Sequence, residues 1–201
     1  QWLEKGSTRE APGSIRAMIE AKLLRLSPDA QLLLQVIALL GVDTKEDWLT
    51  GLGVSAPRDL VQATQELAQH WLVARSAEHL CVRHPVIEDV VLSLLDPTAQ
   101  SLLSRMIALA LETLAVAQGD AMALWTAARL WTKCGSAASA FDSLCRCATH
   151  LLEIGLPLEA VRIYEMAGEY APPEHRVHLL CLRALALAQG DRWQAVTDLL
   201  G

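Results

Sequence analysis

The first third of the chain alternates apolar helical segments with short polar breaks. Residues 1–13 are polar and end in Ala-Pro-Gly, which predicts a linker or tail. A helix is expected from about Ser14. Ser27-Pro28 then supplies an N-cap and a proline at the first position of a second helix. That helix is apolar almost all round and ends at Gly41, which predicts a buried central helix.

The pattern then changes period. A short helix is expected around residues 45–52, and Ala56-Pro57 opens a further helix whose apolar residues recur at helical spacing, namely Leu60, Leu67 and Trp71. Residues 72–82 alternate apolar and polar around a polar turn, which predicts two short strands. His84-Pro85 opens another helix, which is expected to run from residue 86 to 95.

From Asp96-Pro97 onward, every segment has the pattern of helix or turn. A long helix is expected to about Gln118, with four apolar residues inside: Leu102, Met106, Leu109 and Val116. The remaining helices are separated by short breaks: Gly119-Asp120, Gly135-Ser136, Gly155-Leu156-Pro157, Pro172-Pro173 and Gly190-Asp191.

These elements predict a mainly α protein in two parts after the tail. Residues 14–96 have the order of a winged helix, with three helices, a small β-hairpin and a closing helix. Residues 97–201 form helical hairpins, and the final Leu-Leu-Gly indicates an array truncated at its C-terminus.

A repeat lies within the second part. Gly155, Ala160 and Tyr164 recur 35 residues later as Gly190, Ala195 and Leu199. One unit is completed by three further residues: Ala148, Ala167 and Pro172. This resembles a tetratricopeptide repeat, in which small residues let two helices pack closely and a large residue fills the next groove. Cys147 and Pro157 depart from that pattern, and an ordinary bundle with alanine-rich packing is the alternative.

Composition narrows the classes of function. The net charge is −6, and residues 1–96 carry 9 basic and 13 acidic residues, so phosphate of nucleic acid would be repelled. Five cysteines at irregular spacing suggest no disulfide framework and favour a reducing, cytoplasmic setting. No secretory signal and no apolar run of membrane-spanning length stands out, so no membrane partner is expected.

Motifs for catalysis and metal binding are missing from the sequence. It has no Gly-Lys dipeptide and hence no phosphate-binding P-loop. It also lacks the Cys-x-x-Cys pairs of zinc sites and the Gly-x-Ser-x-Gly elbow of hydrolases. We therefore expect no enzyme activity, no metal and no cofactor in this chain itself.

Two stretches resemble a known family. The first carries Ile19, Ala21, Arg25, Leu26, Ser27 and Pro28 before an apolar helix, and the second is Cys81-Val82-Arg83-His84-Pro85-Val86-Ile87-Glu88-Asp89-Val90-Val91. Together they resemble the winged-helix segment of STAND ATPases, the signal-transduction ATPases that include bacterial LuxR-type transcription regulators. In that family a nucleotide-binding domain precedes the winged helix, and tetratricopeptide repeats can follow it. The resemblance implies ADP or ATP in a full-length parent.

His84 matches the histidine of the family's "MHD" motif, which reaches the β-phosphate of bound ADP. Here Arg83 stands in place of the methionine and Pro85 in place of the aspartate. The resemblance implies a phosphate-sensing role for His84 that needs an upstream domain, because a histidine at a helix start can donate to phosphate. A simple helix cap is the alternative.

The sequence thus favours a non-catalytic regulatory fragment of a STAND-type signalling or transcription regulator. Its winged helix would act as a nucleotide-state clamp, and its repeats would bind an inducer or protein partner. Two alternatives stay open: a free-standing tetratricopeptide-type adaptor, and a DNA-binding winged-helix regulator.

Overall fold

The computed structural model of the protein describes residues 13–41, 44–52, 59–76 and 79–201. These residues are mainly helical and include a small antiparallel sheet. They divide into two compact units. The first holds the described residues of 1–46 and 56–96, and the second holds those of 47–55 and 97–201. The segment that follows residue 46 therefore belongs to the second unit, although the sequence interpretation placed it in the first domain.

The first unit is built around one buried helix. Its helices are α1 (Gly13–Leu23), α2 (Pro28–Leu40), α4 (Leu60–Gln69) and α5 (Pro85–Leu94). Ser27 caps α2 by accepting the Ala30 N–H at 3.2 Å, and α2 ends at Gly41, whose φ is +87°. Eight residues of α2 are buried, so the predicted cap, end and central position of this helix are confirmed.

A three-stranded antiparallel sheet completes the first unit. Its strands are β1 (Thr44–Lys45), β2 (Val73–Ser76) and β3 (His79–Val82), in the order β1-β3-β2. The hairpin pairs Val73 with Val82 and Ser76 with His79, which confirms the two predicted strands. The sequence did not predict β1, because a two-residue strand carries no measurable alternation.

The helix before the hairpin differs from its prediction. Its predicted start at Ala56-Pro57 lies outside the described residues, and the described helix α4 begins after Asp59, which caps it by accepting the Gln62 N–H. The helix ends at Gln69. Trp71, predicted at its apolar spacing, lies beyond that end with φ +60° and is 64% exposed.

The second unit consists of helical hairpins. The segment before the hairpins contributes α3 (Glu46–Gly51), of which residues 47–51 belong to this unit. The other helices are α6 (Pro97–Gln118), α7 (Ala121–Lys133), α8 (Ala137–Glu153), α9 (Pro157–Gly168), α10 (Arg176–Gln189) and α11 (Trp193–Leu200). A 3₁₀ turn at Pro173–His175 precedes α10. From α6 to α11 each helix packs on the next in the chain, and all five predicted breaks separate helices.

The predicted inner face of α6 is wrong. Leu102, Leu109 and Val116 are 60%, 54% and 72% exposed, and Met106 is only half-buried. The buried face instead carries Ser104, Ile107, Ala108, Leu111 and Ala115. Small side chains on this face let α6 approach α7 closely, and that packing outweighs the burial of the larger residues on the other side.

Among the described residues, α6 is the one helix whose length and composition would allow it to cross a membrane. This helix was not singled out from the sequence. It carries Glu112, whose carboxylate accepts hydrogen bonds from α7 and α8, and it packs on α7 as part of the second unit.

Candidate functional site

The predicted repeat residues fall into two groups in the second unit. Four of them are fully buried in one cluster at the contact of α8 with α9: Ala148, Ala160, Tyr164 and Ala167. Leu179 and Ala186 of α10 join the same cluster, so the next hairpin packs directly on this one. The small alanines allow the helices to approach, and the Tyr164 ring fills the space between them.

The turn residues of the repeat serve two different purposes. Gly155 has φ +81°, a left-handed conformation that favours glycine, and thereby turns the chain from α8 into α9. Gly190 has an ordinary φ of −87°, but a Cβ there would come within 3.0 Å of Leu158 Cδ2. Gly190 therefore allows a close approach of the next turn to α9.

The remaining repeat residues are less enclosed. Pro172, Ala195 and Leu199 are half-buried, and α11 has no buried residue. The structure therefore brings four residues of the first repeat, Ala148, Ala160, Tyr164 and Ala167, together in one core. Ala195 and Leu199, on the last helix of the second unit, lie outside that core.

His84 lies in the first unit as the N-cap of α5. Its Nδ1 accepts the Val86 N–H at 3.2 Å, and its side chain is exposed. Because Nδ1 acts as an acceptor, the neutral ring carries its proton on Nε2, which then points a donor toward solvent. The capping bond thus uses one ring nitrogen of His84, and the other can act as a donor.

The neighbours of His84 form a stacked pair. The Arg83 guanidinium lies 4.2 Å from the centre of the Trp71 ring, and the Arg83 N–H donates to the Leu72 carbonyl. The cation–π contact holds the exposed indole at the base of the β-hairpin. Arg83 therefore contacts one face of Trp71, and it directly precedes His84 in the chain.

A cleft opens between α6 and α8 in the second unit, and we call it the α6–α8 cleft. It has a volume of about 450 Å³ and is lined by Leu109, Glu112, Trp131, Ser139, Asp142, Cys145 and Arg146. The Trp131 indole N–H donates to Glu112 Oε1 at 2.9 Å, and the Ser143 hydroxyl donates to the same oxygen. These bonds fix the Glu112 carboxylate at the base of the cleft.

Cysteine chemistry is disfavoured at this cleft. Burial, together with the charge of Asp142, raises the pKa of the Cys145 thiol to about 11. Burial and the charge of Asp120 raise the pKa of Cys147 to about 11 as well. Both thiols are therefore protonated at neutral pH and are poor nucleophiles.

Within the described ranges, no group of three His, Cys, Asp or Glu residues is placed to hold a metal ion.

The sequence interpretation did not identify the α6–α8 cleft. One signal for it exists in the sequence. Glu112 is a single carboxylate in a long stretch of apolar residues, and such a group needs a partner when it is half-buried. The partners Trp131 and Ser143 lie on two other helices, so the pairing depends on the tertiary fold.

A scan against protein-family models, a search of curated proteins and a search of solved structures each gave no match to this chain.

Proposed function

We propose that this chain is a non-catalytic regulatory and protein-interaction fragment of a STAND-type ATPase. In this proposal the first unit is a winged helix that responds to the nucleotide state of the parent protein. The second unit is a tetratricopeptide-like array that binds an inducer or a partner protein. We further propose that the protein is cytoplasmic and acts in signal transduction and transcription regulation.

The observation that carries the proposal is the packing of consecutive hairpins in the second unit. Ala148 and Ala160 are fully buried where α8 meets α9, and Leu179 of α10 packs on the same cluster. Repeat arrays of this kind bury a core between neighbours and leave a continuous surface of helices for a partner. In this proposal the α6–α8 cleft is part of the surface that meets the partner.

The order of elements in the first unit supports the winged-helix assignment, and the composition of α4 bears on its partner. The order of helices and strands is α1-α2-β1, then α4-β2-β3-α5, with β3 in the centre of the sheet. The described part of α4, in the position of a recognition helix, carries Glu66 and no lysine or arginine. Arg58, at the predicted start of this helix, lies outside the described residues, and one basic residue is too few for the DNA backbone, which favours a role in protein contacts.

His84 fits a contact with the phosphate of a nucleotide held by another domain. The group is exposed, it directly precedes α5, and its Nε2 is left for an anion by the cap at Nδ1. A bound nucleotide would supply the phosphate charge, and His84 would donate one hydrogen bond to it. The side chain would thus link the first unit to the nucleotide state.

The test uses the protein in the length in which the cell produces it. After purification and denaturation, released nucleotide is quantified by ion-exchange chromatography for wild type, His84→Ala and His178→Ala. His178 is an exposed histidine of α10 and provides the matched control. We expect ADP in the wild type and the control, and a loss of about tenfold in His84→Ala, because a hydrogen bond to a charged group is removed.

Two other outcomes would contradict different parts of the proposal. Wild-type protein without nucleotide would overturn the STAND assignment and favour a free-standing adaptor. ADP retained equally in His84→Ala would restrict His84 to its role as the cap of α5.

A further inference from the structure

The charges in the α6–α8 cleft are not balanced. Two carboxylates, Glu112 and Asp142, face one cation, Arg146. Arg146 Nη1 lies 3.9 Å from Glu112 Oε2, which is beyond hydrogen-bonding distance. Asp142 is exposed and forms no hydrogen bond or ion pair with another described residue. One oxygen of Glu112 and the whole Asp142 carboxylate are therefore open to a further donor.

The same cleft also presents apolar surface. Leu109 of α6 is 54% exposed. Trp131 also lines the cleft, although only 5% of it is exposed, and its bond to Glu112 holds it in place. A ligand that matches this cleft needs an apolar stem and a cationic head with several donors. Arginine combines the two, because its planar guanidinium carries five N–H donors at the end of a methylene chain.

We propose that the α6–α8 cleft is an anchor pocket for an arginine side chain of a partner peptide. The methylene stem lies against Leu109 and Trp131, and the guanidinium lies between Glu112 Oε2 and Asp142. The cleft volume of about 450 Å³ suits a long side chain and not a folded element. This inference rests on the protein-binding role of the second unit and names the chemistry of the partner.

Arg146 allows a direct test of the proposal, because its guanidinium would compete with the guanidinium of the ligand for the Glu112 carboxylate. Its side chain is 43% exposed, so its removal leaves the core intact. Loss of Arg146 raises the net negative charge of the pocket, and loss of the Asp142 charge lowers it. The two changes must act on the binding of a cation in opposite directions, which a merely structural effect would not produce.

The experiment is an NMR titration of the full chain with N-acetyl-arginine amide as the probe. The signal is the indole N–H of Trp131, assigned through a Trp131→Phe variant. N-acetyl-norleucine amide has a similar stem without the charge and serves as the ligand control. The variants are Asp142→Asn, Arg146→Ala and, as the matched control, Asp198→Asn on the exposed side of α11.

We expect a saturable shift of the Trp131 signal with a Kd on the order of 1 mM, and no saturation with norleucine. Asp142→Asn weakens binding about threefold to fivefold, Arg146→Ala tightens it about threefold, and Asp198→Asn leaves it unchanged. Equal binding of norleucine, no saturable shift, or an unchanged Kd in Asp142→Asn overturns the proposal.

The result is independent of the nucleotide assay. If arginine does not bind but the parent protein retains ADP, the pocket proposal is wrong and the STAND assignment is unaffected. If arginine binds but no nucleotide is found, the pocket proposal holds and the protein is a free-standing adaptor.

Discussion

At the scale of single residues, one polar contact in the first unit joins the start of α2 to the helix α4. The Ser27 N–H donates to Glu66 Oε1 at 2.7 Å, and the Ser27 hydroxyl donates to Oε2 at 2.6 Å. Both bonds favour the charged carboxylate. They hold the pKa of Glu66 below its ordinary value of 4.5, and the charge of His70 lowers it further.

This contact predicts a pH dependence of stability. A carboxyl group whose pKa is lowered by folding contributes stability above its unfolded pKa and loses that contribution as pH falls through the folded pKa. We therefore expect the free energy of unfolding of the wild type to fall below about pH 4.5 more steeply than that of Glu66→Gln. Ser27→Ala, which removes the hydroxyl donor, should lie between them.

The measurement is urea unfolding at several pH values, followed by hydrogen exchange of α2 amides to report on the first unit. Identical pH profiles for wild type and Glu66→Gln would contradict the expected role of this carboxylate.

At the scale of elements, the contact of α8 with α9 depends on small side chains. Ala160 is fully buried there beside Ala148 and Tyr164. Ala160→Leu adds three carbon atoms to a close helix contact, and overpacking of this kind costs about 1–3 kcal/mol. The matched control is Ala138→Leu on the exposed side of α8, which should change stability by less than about 0.5 kcal/mol.

Thermal and urea unfolding of the two alanine variants provide the comparison. Equal stability in both would mean that α8 and α9 can separate without loss, against the repeat-like packing of this hairpin.

The helices and strands also show which structural features could be predicted from the sequence. The cap at Ser27, the turn at Gly155 and the hairpin at residues 73–82 were predictable, because each depends on local chemistry. The face of α6 was not. Leucine and alanine occur all round this helix, so periodicity alone did not identify the side with Ala108 and Ala115 that packs on α7.

The candidate site also contains one feature that a local sequence signal predicts and one that depends on the tertiary fold. His84 was predicted at the start of its helix, because His-Pro is a local signal, and it is the N-cap of α5. The α6–α8 cleft combines residues from three helices, and no local pattern relates Glu112 to Trp131 or Asp142. Their assembly depends on how the hairpins pack, which is a property of the tertiary structure.

At the scale of the whole molecule, the two units are not continuous in sequence. Trp48 is fully buried, and its indole N–H donates to Asp120 Oδ2 at 3.0 Å. Asp120 in turn caps α7 by accepting the N–H groups of Met122 and Ala123. A Cβ at Gly51 would come within 3.0 Å of Leu114 Cδ1, so this short segment packs closely on α6.

The segment that carries Trp48 should therefore stabilise the second unit specifically. Trp48→Ala removes a buried indole, which costs about 3–5 kcal/mol, and leaves Asp120 without that donor. We expect amide protection from hydrogen exchange to fall in α7 and to persist in α2 of the first unit. Asp47→Ala, at the exposed neighbouring position, should leave both helices protected. Equal loss of protection in α2 and α7 would mean that the two units unfold as one, because a local defect at Trp48 would then spread beyond the unit that contains it.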